Sequence, residues 1–133
     1  MSRFFILMLC AVVCSGCAGH VTRADLKEKY DHHAQFDVDS SLQTTIKNIE
    51  NKLDECRIAG VGWSPVITIF EELGEARMEY KFDQNHPFAY RIHTLVELKR
   101  QNNRTNVALY TVDMQKRVIR TLEYGAKGLP GCP

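Results

Sequence analysis

The sequence lacks an excess of charge of either sign. Its 133 residues carry 17 Lys and Arg against 16 Asp and Glu, and the basic residues form no cluster. Proteins that bind nucleic acid usually present a basic patch, and polybasic segments hold some proteins on anionic lipid. The composition therefore gives no indication of nucleic-acid binding, and any attachment to a membrane would need another source.

The sequence also lacks an apolar run long enough to span a bilayer as a helix. Its most apolar stretch, FFILMLCAVV at residues 4–13, has ten residues, whereas a spanning helix needs about 20. Arg3 precedes this stretch, and the small residues Ser15 and Gly16 follow it. A basic start, a short apolar run and small residues at a cleavage site are typical of an export signal.

Directly after the apolar run the chain reads Cys14-Ser15-Gly16-Cys17, which has the spacing of a redox dithiol or of half a zinc site. The redox interpretation lacks the βαβ context of such motifs, and the zinc interpretation lacks a second ligand pair at usable spacing. Small residues immediately before a cysteine instead resemble the lipobox of bacterial lipoproteins. The resemblance covers residues 1–18, and it departs from the usual pattern at Cys14, where a leucine is common.

The lipobox resemblance implies that residues 1–16 are a signal peptide and that Cys17 becomes the first residue of the mature chain, with its thiol carrying diacylglycerol and its amino group an acyl chain such as palmitate. Ala18, which is not Asp, then implies passage to the periplasmic face of the outer membrane. We expect residues 17–39 to form the lipidated cysteine and a flexible tether with one fragile helical turn near residues 25–30. Residues 40–133 are expected to form a single domain.

Only Cys56 and Cys132 would remain as free thiols after this processing. Two cysteines in an exported chain most simply form one disulfide, and the alternative is two separate buried thiols. The bond would close a loop of about 77 residues, for which loop entropy gives roughly 4 kcal/mol of stabilisation.

Hydrophobic periodicity predicts an α+β domain of two layers. Leu42, Ile46, Ile49 and Leu53 recur at helical spacing behind the capping residues 39–41. An alternation of apolar and polar residues predicts four strands, at residues 66–73, 75–82, 89–99 and 105–113. Helical spacing returns in residues 114–126, and Gly125 and Gly128 are expected to end that helix. The order is an N-terminal helix, a four-stranded antiparallel meander and a C-terminal helix. This order resembles the helix-grip domains of some envelope lipoproteins.

No group of side chains in the sequence has the pattern of a catalytic site, and no cofactor or metal site is predicted. The residues that could suggest one are Asp31-His32-His33, Ser64, the carboxylates Glu71, Glu72 and Glu75, and the histidines His86 and His93. We expect the histidines to lie in the tether or on the surface and the three glutamates to lie at a solvated hairpin tip. Trp63 is expected to anchor a loop.

The sequence is compatible with two functions. The first is a non-enzymatic interaction module, held at the membrane by lipid on Cys17 and bound to an envelope protein that the sequence does not identify. The alternative is a carrier of a small apolar ligand or lipid between sheet and helix, in a cavity lined by Met78, Tyr80, Phe82, Tyr90 and Ile92. The same five residues would otherwise fill a solid core.

Overall fold

The computed structural model describes residues 22–29, 33–56, 65–81, 92–112 and 116–133, and it confirms the α+β class. The elements in chain order are α1 (Arg23–Lys29), β1 (His33–Val38), α2 (Leu42–Cys56), β2 (Val66–Phe70), β3 (Glu75–Lys81), β4 (Ile92–Gln101), β5 (Arg104–Thr111) and α3 (Lys116–Ala126). The signal peptide, Cys17, Trp63 and Ser64 lie outside the described residues.

The strands form one antiparallel sheet in the order β1-β5-β4-β3-β2. Strands β2 to β5 make the meander that the sequence predicts, with tight connections at Gly74 and at Asn102-Asn103. Gly74 and Asn102 adopt positive φ angles of 62° and 57°, which glycine and asparagine tolerate best. Helix α2 carries the chain from β1 at one edge of the sheet to β2 at the other.

The sheet has a fifth strand that the sequence analysis placed in a flexible tether. Strand β1 pairs with β5 from His33↔Tyr110 to Val38↔Thr105. Its residues HAQFDV alternate between polar and apolar, with Ala34, Phe36 and Val38 on the inner side. This short run was missed because it lies in a polar segment of mixed charge. The tether interpretation is therefore wrong for residues 33–38.

Helix α1 also lies in the segment that was expected to be a tether. Thr22 and Asp25 form a reciprocal cap, in which the Thr22 N–H donates to Asp25 Oδ2 at 2.9 Å and the Asp25 N–H donates to Thr22 Oγ1 at 3.2 Å. Seven residues are too few for a stable isolated helix, so burial against the sheet must stabilise α1. Leu26 supplies this contact and is fully buried.

Helix α2 agrees with the sequence prediction at its cap and along its buried stripe. Ser41 Oγ accepts the Thr44 N–H at 3.2 Å, as an N-cap residue should. The buried residues of this helix are Leu42, Thr45, Ile46, Ile49, Lys52, Leu53 and Cys56.

Helix α3 packs against α2 and contains Gly125, one of the two glycines that were expected to end it. At Gly125 a Cβ atom would lie 2.9 Å from Lys52 Cβ and 3.0 Å from Ile49 Cα, so the two helix backbones meet where no side chain fits. The helix ends at Ala126, and Gly128 follows it in the capping turn with a φ of 63°; the Leu129 N–H donates to Tyr124 O and the Gly128 N–H to Gly125 O. The helix thus ends at residue 126, as the sequence predicts, and Gly125 lies one residue before that end because it serves close helix packing.

The two faces of the sheet have different partners. The core face, on which Met78, Val96 and Val107 lie, is covered by α2 and α3. The polar face, on which Arg77, Glu97 and Asn106 lie, is covered in part by α1. A smaller apolar cluster of Leu26, Ile92 and Leu95, with Tyr110 and Val112 beside it, lies between α1 and the polar face.

A bulge in β4 places the side chains of Ile92 and His93 differently from the strict alternation that the sequence predicts. The register of β3 with β4 shifts between Tyr80↔Thr94 and Lys81↔Ile92, which leaves His93 as the extra residue. A bulge re-aims neighbouring side chains. Ile92 therefore lies in the cluster beneath α1 instead of sharing a face with Thr94, and His93 is buried, with 3% of its surface exposed, where a surface position was expected.

Candidate functional site

The described part of the polar face contains a groove beside α1. Its volume is about 370 Å³, and it runs across β3, β4 and β5. The residues that line it are Lys27, Gln35, Phe70, Glu75, Ala76, Arg77, Glu97, Leu98, Lys99, Asn106, Ala108 and Tyr110. The groove exists because α1 is short and covers only one end of this face.

Charges of both signs meet in the groove as ion pairs between neighbouring strands and between α1 and β4. Glu97 accepts Lys27 Nζ at 2.7 Å and lies 3.9 Å from Arg77 Nε, while Glu75 lies 2.9 Å from Lys99 Nζ. The side chains in these pairs are partly exposed, so each pair adds little stability, on the order of 0–1 kcal/mol. Their ordered arrangement gives the groove an alternating pattern of charge.

Two aromatic rings lie among these charges. Lys27 Nζ lies 5.5 Å from the centre of the Tyr110 ring, and the Arg77 guanidinium lies 5.4 Å from the centre of the Phe70 ring. Rings that carry a cation on one face and remain partly exposed are common in protein-binding surfaces, where aromatic residues and arginine are enriched. The groove can therefore hold both polar and aromatic groups of a partner.

A buried carboxylate fixes the position of α1 over the sheet. Glu79 on β3 is 5% exposed, and its carboxylate pairs with Arg23 of α1 and lies 3.8 Å from Lys81 Nζ. Removing one partner from a buried pair leaves a desolvated charge, which is costly. The Arg23–Glu79 pair and the burial of Leu26 together hold the helix that forms one wall of the groove.

On the core face, His93 belongs to a buried polar cluster with Thr94 and Thr111. The Thr111 hydroxyl donates to the His93 carbonyl at 3.1 Å, Thr94 Oγ1 lies 2.9 Å from Thr111 Oγ1, and His93 Nδ1 lies 2.9 Å from Thr94 Oγ1. Since each hydroxyl has one proton, the chain of bonds is complete when His93 Nδ1 carries hydrogen and donates to Thr94. The cluster closes the bulge, which explains why a histidine is buried here.

Tyr80 lies beside this cluster, with its ring centre 6.4 Å from that of His93. Burial raises the pKa of the Tyr80 hydroxyl above its ordinary value near 10, and the Glu50 carboxylate raises it further. A phenol held neutral in this way is a poor proton acceptor or donor at neutral pH. Tyr80 therefore has the environment of a core residue.

The Cys56–Cys132 disulfide is present, as the sequence analysis expected. It joins the last residue of α2 to the chain terminus, and the two Cα atoms are 5.4 Å apart. Lys52, one turn earlier on α2, donates from Nζ to the Gly131 carbonyl at 3.2 Å. The tail is thus held to α2 by a covalent bond and a hydrogen bond.

The other candidates from the sequence do not form a site among the residues that the structure describes. Glu71 and Glu72 are exposed in the turn after β2, and His33 is exposed at the start of β1. Within the described ranges no three His, Cys, Asp or Glu side chains are grouped so that they could hold a metal ion. Asp31, His32 and His86 lie outside those ranges.

The residues predicted to line a carrier cavity separate into three sets. Met78 and Tyr80 are fully buried in the core beneath α2 and α3, and Ile92 lies on the opposite face of the sheet. Phe82 and Tyr90 lie outside the described residues. The packing of Met78 and Tyr80 favours the solid core that the sequence analysis gave as the other interpretation.

Comparison of the chain with protein-family models, with curated proteins and with solved structures finds no match. None of the helices in the described ranges has the length and apolar character needed to cross a membrane.

The sequence analysis did not identify the groove, although one signal for it was present. Charged residues alternate along β3 as Glu75, Arg77, Glu79 and Lys81, and Glu97 and Lys99 follow the same pattern on β4. This alternation indicates that one sheet face is polar. What the pattern could not show is that a short helix from the expected tether would cover one end of that face and create a wall.

Proposed function

We propose that this chain is a bacterial envelope lipoprotein, anchored by lipid on Cys17, whose folded part is a non-enzymatic interaction module on the periplasmic side of the outer membrane. The anchor rests on the order of Arg3, the apolar residues 4–13 and the small residues before Cys17. Because one acyl chain gives only marginal binding, the two or three chains of a bacterial lipoprotein would be needed for stable attachment.

The observation that carries the interaction module is the groove on the polar face. It combines charges of both signs with the Tyr110 and Phe70 rings on a rigid sheet. A polypeptide with side chains of both signs is the partner that this chemistry suits, because complementary charge specifies orientation while aromatic contacts supply affinity. An envelope protein held at the same membrane would meet this description.

The anchor is tested by replacing Cys17 and Cys14, the two cysteines of the C-x-x-C pair, one at a time. We expect Cys17→Ser to abolish incorporation of labelled palmitate and to release the protein from the membrane fraction. Cys14→Leu is the matched control, since it destroys the C-x-x-C pair and restores the usual lipobox residue, and it should keep both properties. Loss of membrane attachment in Cys14→Leu with full attachment of Cys17→Ser would refute the anchor.

The groove is tested in the intact cell by photo-crosslinking from a position inside it. A photoreactive residue at Gln35, an exposed residue of the groove, should give a discrete adduct with an envelope protein, whereas the same residue at Lys47, exposed on α2, should not. Charge reversal by Lys99→Glu should reduce the Gln35 adduct. Equal adducts from both positions, or no effect of Lys99→Glu, would contradict the proposed interaction surface.

A further inference from the structure

Strand β2 forms an edge of the sheet, and all of its residues except Thr68 are apolar. Within the described residues it pairs only with β3, so its other side faces away from the sheet. Its sequence VITIF contains no charge, proline or glycine, and Val66 and Ile69 are 43% and 45% exposed. An edge strand of this kind is a template for pairing with another strand.

The opposite edge of the same sheet is protected. Strand β1 carries Asp37, whose carboxylate accepts the Asn106 side-chain amide at 2.7 Å, and Lys127 of the α3 end lies 5.0 Å from the Phe36 ring centre. Charged side chains and covering elements are the means by which proteins block edge pairing. Among the described residues, β1 has both kinds of protection, whereas β2 has no charged side chain of its own and pairs only with β3.

The hydrogen bonds of the neighbouring strands show which peptide groups of β2 point outward. The Arg100 N–H donates to the Gly74 carbonyl at 2.8 Å, while Glu75 and Lys99 are paired in register. In an antiparallel ladder this pattern turns the peptide groups of Glu75 away from β4 and towards Phe70. The peptide groups of Phe70 therefore point towards β3. Because peptide groups alternate in direction along a strand, those of Ile67 and Ile69 point out from the edge.

We propose that two copies of this chain pair β2 with β2, antiparallel, about a two-fold axis through Thr68. The strand reads almost the same in both directions, with Ile67 and Ile69 on either side of Thr68. In this register Ile67 exchanges both hydrogen bonds with the partner's Ile69, and the two Thr68 residues face each other as a non-hydrogen-bonded pair. All outward peptide groups of the strand are then satisfied.

The side chains suit the same register. Val66 lies opposite the partner's Phe70, which is an aromatic and β-branched pair of the kind that stabilises antiparallel sheets. No like charges meet, because the strand carries none. Pairing ends where Pro65 precedes the strand and the turn Glu71–Leu73 follows it, so the interface is short and the dimer is weak in dilute solution. The inference does not depend on the lipid anchor, although attachment to one membrane would raise the effective concentration.

Cysteine crosslinking detects such a weak pair and reports its register. The chain from residue 18 onward contains every described residue and lacks the N-terminal cysteines, and it is tested as Thr68→Cys and, separately, as Val66→Cys. Both side chains are exposed on the same face of β2. The two-fold axis brings the Thr68 positions to Cα atoms about 4.5 Å apart but keeps the Val66 positions about 13 Å apart along the strands. Thr68→Cys should form a covalent dimer at least about tenfold faster, because a disulfide cannot bridge Cα atoms beyond about 7 Å.

A second substitution tests whether the outward peptide groups are required. Ile69→Pro in the Thr68→Cys chain removes an outward N–H and leaves the pairing with β3, so dimer formation should fall to the Val66→Cys rate while circular dichroism stays unchanged. If proline disturbs the fold, Ile69→Lys blocks the same edge with a charge at a half-exposed position. Equal rates for Thr68→Cys and Val66→Cys would overturn self-pairing and leave the edge to a strand of another protein. Unchanged crosslinking of a folded Ile69 variant would overturn it as well.

Discussion

Removal of the Cys56–Cys132 disulfide should cost a large share of the stability of this domain, by an amount that depends on which cysteine is replaced. The bond joins residues 76 apart in sequence. Loop entropy gives a stabilisation of about 4–5 kcal/mol for a closed loop of this size, whereas a typical domain is stable by only about 5–15 kcal/mol. Loss of the bond should therefore move the protein close to the folding threshold.

The two single substitutions should differ because the two cysteines have different surroundings. Cys132 is exposed, so Cys132→Ser places a hydroxyl in water and reports the cross-link alone. Cys56 is 6% exposed on the buried stripe of α2. Cys56→Ser would bury a hydroxyl there and should cost a further 1–3 kcal/mol, roughly, unless it finds a hydrogen-bond partner. Cys56→Ala restores an apolar side chain and should recover part of that difference.

Urea unfolding of the chain from residue 18, followed by circular dichroism with and without reductant, measures these changes. Reductant should destabilise the parent chain by as much as Cys132→Ser does, and it should have no effect on Cys132→Ser. A Cys132→Ser protein within 1 kcal/mol of the parent, on the scale of ordinary surface substitutions, would refute the role given to the cross-link. Equal stability of Cys56→Ser and Cys132→Ser would refute the argument from burial.

Three further predictions concern single residues. Gly125→Ala should destabilise the protein by about 1–3 kcal/mol in urea unfolding, because the added Cβ atom would collide with Ile49 and Lys52. Alanine has the higher helix propensity, so a gain in stability would contradict the close packing of α2 and α3. Ser41→Ala should cost about 1 kcal/mol in the same assay through loss of the cap, and no change would contradict the capping role. Because burial raises the pKa of the Tyr80 hydroxyl, the unfolded chain loses the hydroxyl proton at a lower pH than the folded chain does. Above about pH 10 the parent should therefore lose about 1.4 kcal/mol of stability per pH unit more than Tyr80→Phe does. Parallel profiles of stability against pH for the two proteins would contradict this.

The sequence predicted those elements whose side chains show one strong period. Helix α2 and the meander from β2 to β5 were predicted correctly because their apolar residues recur at spacings of 3.6 and 2. The disulfide was predicted correctly because only two cysteines remain after the expected processing. Strand β1 was missed because its alternating run has only six residues, lies in a polar segment and pairs with β5, which is distant in sequence. Such a strand is stabilised mainly by its neighbour, which local pattern does not report.

The groove could not be predicted from the sequence for a related reason. It needs α1 to lie over one end of the polar face, and that position depends on Leu26 and on the Arg23–Glu79 pair, whose members are far apart in the chain. The placement of His93 and Ile92 depended on a single bulge, which moves the residues on one side of it to the other face of the sheet. Tertiary contacts thus decided the features that bear on function.

The pairing of the first strand with the last has a consequence for how the chain folds. Val38 pairs with Thr105 and Cys56 bonds to Cys132, so the sheet cannot close before residue 105 has been made, and the cross-link cannot form before residue 132 has been made. Contacts between distant residues raise the contact order, which slows folding and prolongs the exposure of unpaired strands. During that interval the meander already presents the apolar edge of β2, and an encounter between two nascent chains would compete with completion of either one.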